Sequence, residues 1–100
     1  MPTLSEYSNV YNSALILLTK KGYQSWYDSE AELFCAEKDG WDFMAESPCG
    51  LLGLVSMFEF IKPSKYEEYW WKLEGEDIYK NLPQKPNEYV SVIYSSEKSK

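Results

Sequence analysis

Seven carboxylates and one lysine are the only charged residues in one short stretch of this chain, called the acidic stretch below. Closely spaced side chains of this type can hold a metal ion, act as acid–base catalysts or attract a cationic partner. Acids and lysines are equal in number in the rest of the chain, so the formal net charge of −6 resides entirely here. The acids are Asp28, Glu30, Glu32, Glu37, Asp39, Asp42 and Glu46, and the base is Lys38.

The spacing of these acids does not favour a metal site or a catalytic pair. A calcium loop needs oxygen ligands at set positions and a glycine at its bend, and the alternation Asp28-Ser29-Glu30-Ala31-Glu32 is not completed downstream. A glycosidase pair needs a deep sugar cleft, which so small a domain rarely supplies. We expect no metal, cofactor or small-molecule substrate, which leaves a solvated hairpin or a docking face for a basic protein.

Other reactive residue types are scarce. The chain contains no histidine and no arginine, so the commonest proton shuttle and the bidentate phosphate clamp are both missing. Cys35 and Cys49 have no histidine to activate a thiolate, and two cysteines do not make a disulfide scaffold. We therefore expect a protein that is not an enzyme and has no catalytic residues.

Aromatic residues form a second cluster, which acids follow directly. Four of them crowd one short segment that cannot bury them all, and Tyr and Trp are favoured as interface anchors. The alternative is a lid over the core, and the neighbouring acids oppose base stacking on nucleic acid. The cluster is Tyr66, Tyr69, Trp70 and Trp71. The candidate partner-binding residues are therefore the seven acids of the acidic stretch together with Trp70, Trp71, Glu74, Glu76 and Asp77. Trp26 is a further candidate anchor.

Composition excludes several classes of partner. The pI of about 4.6 disfavours binding to nucleic acid or to anionic membranes. The first residues have no basic flank of the signal-peptide kind, and the longest apolar run, 51–60, is too short to span a bilayer. We expect a cytoplasmic protein.

Periodicity and turn signals predict the elements that position these side chains. Apolar residues at three- and four-residue steps predict a helix over 4–21, and strands are predicted over 23–27, 31–37 and 41–45. A second helix is predicted from Ser47-Pro48 to Pro63, a short helix over 66–71, one helical turn over 78–82, and a last strand over 89–94.

The hairpin between the second and third strands allows two registers. A two-residue turn at Asp39-Gly40 sets Glu37 opposite Asp42, whereas a three-residue turn sets Glu37 opposite Trp41 and Glu32 opposite Glu46. We prefer the second register because it predicts one apolar face, and both leave two acids facing each other. The predicted face is Leu33, Cys35, Trp41, Phe43 and Ala45.

Together these elements predict an α+β fold. One domain over 1–100 would contain an antiparallel sheet of about four strands, a meander plus the C-terminal strand, with two main helices and one short helix. The tail, 95–100, is predicted to fray.

Part of the chain, 40–82, resembles small acidic bacterial immunity proteins, the partners of toxins in contact-dependent inhibition and polymorphic toxin systems. The likeness lies in Gly-Trp-Asp-Phe at 40–43, Leu-Leu-Gly-Leu-Val at 51–55 and Glu-Tyr-Trp-Trp-Lys-Leu at 68–73. It implies tight binding of a toxin domain in the cytoplasm of the producing cell. Many such toxins are basic nucleases, which an acidic, aromatic surface would suit; the alternative is a small acidic regulatory or adaptor domain unrelated to toxins.

Overall fold

Two helices and three strands are described by the computed structural model, which covers residues 3–92 of the chain. In chain order they are α1 (Tyr11–Lys20), β1 (Gln24–Asp28), β2 (Leu33–Lys38), β3 (Trp41–Ala45) and α2 (Pro48–Ile61). The strands form one antiparallel sheet in the order β1-β2-β3. The protein is therefore α+β, as predicted.

Contacts between residues divide the chain into two units. Glu6–Lys72 holds the sheet and both helices, and the other unit comprises Met1–Ser5 and Leu73–Lys100. The expectation of a single domain stays a prediction.

The first helix is shorter than predicted. α1 begins at Tyr11 after a single 3-10 turn, Ser8–Val10, because serine and asparagine favour turns over helix interiors. Its end agrees with the prediction. Gly22 is left-handed, with φ of 93°, and the N–H groups of Gly22 and Tyr23 donate to the carbonyls of Thr19 and Leu18. These two hydrogen bonds satisfy carbonyl groups in the last turn of the helix.

The hairpin adopts the register that we did not prefer. Asp39 and Gly40 form a two-residue turn, with φ of 52° and 87°, and Lys38 pairs with Trp41. Two consecutive left-handed residues match the right-handed twist of the flanking strands. Glu37 therefore lies opposite Asp42, and the predicted pairing of Glu32 with Glu46 is wrong.

This register divides the predicted apolar face between the two sides of the sheet. Trp41, Phe43 and Ala45 share the inner face with Phe34 and Ala36, since Ala36 pairs with Phe43. Leu33 and Cys35 lie on the opposite, outer face, because side chains alternate along a strand.

The helices cover only the inner face. α1 contacts β1, α2 contacts β2 and β3, and the two helices contact each other. The core between them is apolar: Leu18, Tyr23, Ala36, Phe43, Leu51 and Val55 are all buried. Within Glu6–Lys72 no helix lies over the outer face.

The second helix forms where the cap residues predict it. The Ser47 hydroxyl accepts from the N–H of Gly50 at 3.0 Å, and Pro48 occupies the first turn. Lys62, with φ of 52°, ends the helix before Pro63.

Three further predictions are not confirmed. Residues 66–71 form turns instead of a helix, because Tyr69 has φ of 60° and the bonds that close the turns span three residues. Residues 78–82 likewise form a turn. Residues 89–91 belong to no strand, and 93–94 and the tail at 95–100 lie outside the described residues.

Candidate functional site

The acidic stretch separates into two groups at opposite ends of the sheet. One end, at the β2–β3 turn, carries Glu37, Asp39 and Asp42. The other end carries Asp28, Glu30, Glu32 and Glu46, because the β1–β2 turn and the end of β3 meet there. Asp28 lies opposite Leu33, four residues along β2 from Glu37, so the two groups begin about 13 Å apart. A single metal ion therefore cannot contact both.

Glu37 is held by hydrogen bonds and not by a cation. Its Oε1 accepts from the Gln24 side-chain amide at 2.7 Å, and its Oε2 accepts from the Gly40 N–H at 2.8 Å. These two bonds, Gln24 first, lower the pKa of the Glu37 carboxyl from its usual value. These bonds therefore favour the ionised form of the Glu37 side chain although Asp42 lies directly opposite.

Asp28 also has a structural role. Its Oδ1 accepts from the N–H groups of Glu30 and Ala31 at 3.0 and 3.1 Å, which closes the turn between β1 and β2. The side chains of the other five acids make no hydrogen bond to any residue among 3–92: Glu30, Glu32, Asp39, Asp42 and Glu46.

The lysine of the stretch is turned away from these acids. Lys38 lies on the inner face opposite Trp41, its Nζ donates to the Lys21 carbonyl at 2.8 Å, and it sits 5.5 Å from the centre of the Tyr23 ring. Burial, followed by the charges of Glu59 and Asp39, raises the pKa of Tyr23.

The ion pairs of the described residues do not involve the acidic stretch. In the part of the chain that the structure describes, the salt bridges are Lys21–Glu59 at 2.8 Å and Lys80–Asp77 at 3.8 Å. None of the seven acids is neutralised there, so their charge is available to a partner.

A row of apolar side chains crosses the outer face beside these acids. Trp26, Cys35 and Met44 are cross-strand neighbours on β1, β2 and β3. Cys35 is 3% exposed between its two neighbours, whereas Trp26 and Met44 remain 46% and 49% exposed. Large apolar area next to unpaired charge is typical of a protein-binding surface.

A groove runs along the outward edge of β3. One part of it, a cavity of about 370 Å³, is lined by Asp42, Phe43, Met44, Leu54, Met57, Trp70 and Trp71. An adjoining cavity of about 430 Å³ shares Asp42 and Trp70 with it and continues towards the turn, past Trp41, Ser64, Lys65 and Tyr66. We call the two together the edge groove.

The two predicted tryptophan anchors differ in exposure. Trp70 is half-buried, with ring centroids 5.6 Å from Trp41 and 5.7 Å from Phe58, so it packs on the core. Trp71 is 47% exposed and stacks edge-on against Tyr69 at 5.9 Å. Of the two tryptophans, Trp71 is thus the one with more free area in the edge groove.

The remaining predicted acids lie in the other unit, in the segment that follows Lys72. Glu74, Glu76 and Asp77 are exposed, and Asp77 Oδ1 accepts from the Lys80 N–H at 3.1 Å. Asp77 therefore stabilises its own turn and has a cation beside it.

Sequence reasoning missed three apolar residues of the edge groove: Met44, Leu54 and Met57. The signal for Met44 was present, because a large apolar residue next to Phe43 must point to the other face of the strand. Leu54 and Met57 are brought to the groove only by the docking of α2 on the sheet.

Among residues 3–92, no three cysteine, aspartate or glutamate side chains converge where a metal ion could sit. Neither helix in that range combines the length and apolarity needed to cross a membrane.

None of the family models, curated proteins and solved structures compared with this chain matches it, so only its own residues indicate its function.

Proposed function

We propose that this chain is a non-enzymatic binding protein for a basic protein domain. Its partner would be a toxin domain of the kind that the resemblance to immunity proteins implies, and binding in the cytoplasm would neutralise it. The surface that makes the contact would be the outer side of the hairpin, including its turn.

The observation that carries this proposal is the unneutralised charge of the acidic stretch. Lys38 is tied to the inner face, and five acids have side chains without a partner among residues 3–92. Glu37 and Asp42 lie opposite each other in the same sheet, which is unfavourable unless cations approach. A lysine- or arginine-rich partner would relieve this repulsion.

Apolar area beside the acids supports a protein partner over a small ion. Trp26, Met44 and Trp71 are each about half exposed, and the acidic stretch lies beside them. Rigid aromatic and methionine side chains supply the buried centre of protein interfaces, and charges around them speed the encounter.

The first experiment isolates the partner and measures how its association depends on charge. The chain, used as bait in extracts of its source organism, is expected to retain a basic protein. Stopped-flow kinetics then compare Asp39→Asn/Asp42→Asn, at the turn, with Glu30→Gln/Glu32→Gln, at the other end. At low salt, the double variant whose acids lie in the interface should associate about tenfold more slowly than wild type. High salt should bring its association rate back to that of the wild type.

A matched control removes the same charge elsewhere. Glu67→Gln/Glu68→Gln lies outside the acidic stretch and is exposed, so it should leave the association rate close to wild type. Equal rates for all three double variants, or an acidic partner, would overturn the proposal.

A growth assay separates the toxin reading from the adaptor reading. Co-expression with the captured basic domain should restore growth of cells that the domain kills, and the slower-binding variant should restore it less. A captured domain that is harmless to cells would favour a regulatory or adaptor role.

A further inference from the structure

Two of the five residues of β3 direct their main-chain groups away from the sheet. The two-residue turn makes Lys38 and Trp41 a hydrogen-bonded pair, so Trp41, Phe43 and Ala45 bond to β2. By alternation, Asp42 and Met44 direct their N–H and C=O groups outward. No main chain within residues 3–92 pairs with them, since β3 is an edge of the sheet.

This edge lacks most of the devices that keep exposed strands from pairing. β3 contains no proline and no lysine, and its five pairs with β2 run without a bulge. Its outward-facing charge is the carboxylate of Asp42, with Asp39 beside it in the turn. Negative charge repels a second copy of the same acidic edge, and it attracts a cationic strand.

The edge groove supplies room for such a strand. Beside Asp42 and Met44 it is walled by Leu54, Met57 and Trp71, and it continues to the turn at Gly40. Near Met44 the groove is walled by the apolar side chains of α2, whereas its end at the turn is lined by the carboxylates of Asp39 and Asp42 together with the cation Lys65. An extended chain lying there would bury alternate side chains against α2 and present the others to the acids.

We propose that the basic partner adds an extended segment to β3 as a fourth strand, an inference that rests on the proposed function. The segment's main chain pairs with the N–H and C=O groups of Asp42 and Met44. Its residue opposite Phe43 is apolar and enters the cavity beside Leu54, and its residue opposite Asp42 is lysine or arginine. The recognised pattern is therefore basic and apolar residues in alternation.

The test uses a short acetylated peptide in which lysine alternates with valine, labelled for fluorescence anisotropy. Its control is the same peptide N-methylated at alternate residues, so that its strand-pairing amides are blocked while charge and side chains are kept. The unmodified peptide should bind about tenfold more tightly than the methylated one. Equal affinities would overturn strand addition.

Variants of the protein test the edge directly. Met44→Pro removes one outward N–H but no ladder bond, and it should weaken the peptide and the captured partner by about tenfold. Met44→Ala keeps the amide and controls for the lost side chain. Ser25→Pro makes the equivalent change on the opposite edge, β1, and should bind like wild type.

Amide hydrogen exchange keeps the test decisive if Met44→Pro folds poorly. In the wild-type complex the N–H groups of Asp42 and Met44 should become protected, while those of Ser25 and Tyr27 should not. Protection of the same amides in the free chain at high concentration would assign the edge to a second copy and overturn the proposal.

The two proposals fail differently. If the captured partner still binds in a manner that depends on salt and on the acids, but Asp42 and Met44 gain no protection, strand addition is wrong and the acidic docking face stands. If neutralising the acids changes nothing, the docking face itself is wrong.

Discussion

The two faces of the three-stranded sheet are formed by the same strands but carry very different side chains. The inner face is covered by α1 and α2, and its central side chains, Ala36 and Phe43, are buried. The outer face carries facing carboxylates, Glu37 and Asp42, and beside them a half-exposed apolar row. The inner face therefore supplies the stability of the unit Glu6–Lys72, whereas the outer face leaves Trp26 and Met44 about half exposed.

The largest expected difference in stability is between substitutions of two neighbours on β3, Phe43 and Met44, which point to opposite faces of the sheet. Phe43 is 7% exposed, with ring centroids 6.0 Å from Tyr23 and 5.6 Å from Phe58. Phe43→Ala should lower the free energy of unfolding by about 3–5 kcal/mol, measured by urea denaturation. Met44→Ala should cost less than about 1 kcal/mol, and equal losses would contradict the division of labour between the faces.

A smaller effect is expected at the turn that assigns residues to the faces. Gly40 has φ of 87°, and a Cβ added there would meet nothing within 4 Å, so Gly40→Ala tests backbone conformation alone. We expect it to destabilise the protein by about 1 kcal/mol. Chemical denaturation measures this change.

Gly53 provides the matched control for the turn. A Cβ added at Gly53 would also meet nothing within 4 Å, but this glycine lies within α2, where alanine is the better residue. Gly53→Ala should stabilise the protein by about 0.5–1 kcal/mol. A destabilised Gly53→Ala together with an unaffected Gly40→Ala would contradict the two-residue turn and hence the observed register.

The smallest expected effect is a pH dependence on the outer face. Hydrogen bonds from Gln24 and Gly40 lower the pKa of Glu37 in the folded chain. Their stabilisation is therefore complete above the unfolded glutamate pKa, about 4.3, and is lost as the pH falls through the lower folded value. Unfolding measured across this range should show stability decreasing with acidification.

Gln24→Ala removes the larger cause of that shift. In this variant the pKa of Glu37, followed by carboxyl NMR titration, should rise towards its usual value, and part of the acid dependence of unfolding should disappear. Gln84→Ala changes the other glutamine of the chain and should leave the Glu37 titration unaltered. An unchanged titration in Gln24→Ala would show that another group holds the carboxylate.

Local signals predicted the elements better than their arrangement. Ser47-Pro48 predicted the start of α2, Gly22 followed the end of α1 as expected, and Asp39-Gly40 marked the β2–β3 turn. The short helix at 66–71 failed because Tyr69 adopts a left-handed conformation, for which its residue type gives no warning. Of the candidate site, the sequence located the charge but missed the methionines of the edge groove.

What the sequence by itself determined is where the charge lies and where each helix can begin and end, because capping, turn residues and net charge depend on neighbours in the chain. The tertiary structure decided the register of the hairpin. Two turns were available at the same glycine, and shifting the register exchanges which side chains of β2 share a face with Phe43. Packing of Phe34 and Ala36 with Phe43 under the helices selects one of them. That choice turns Lys38 inward and leaves the outer face acidic and unpaired.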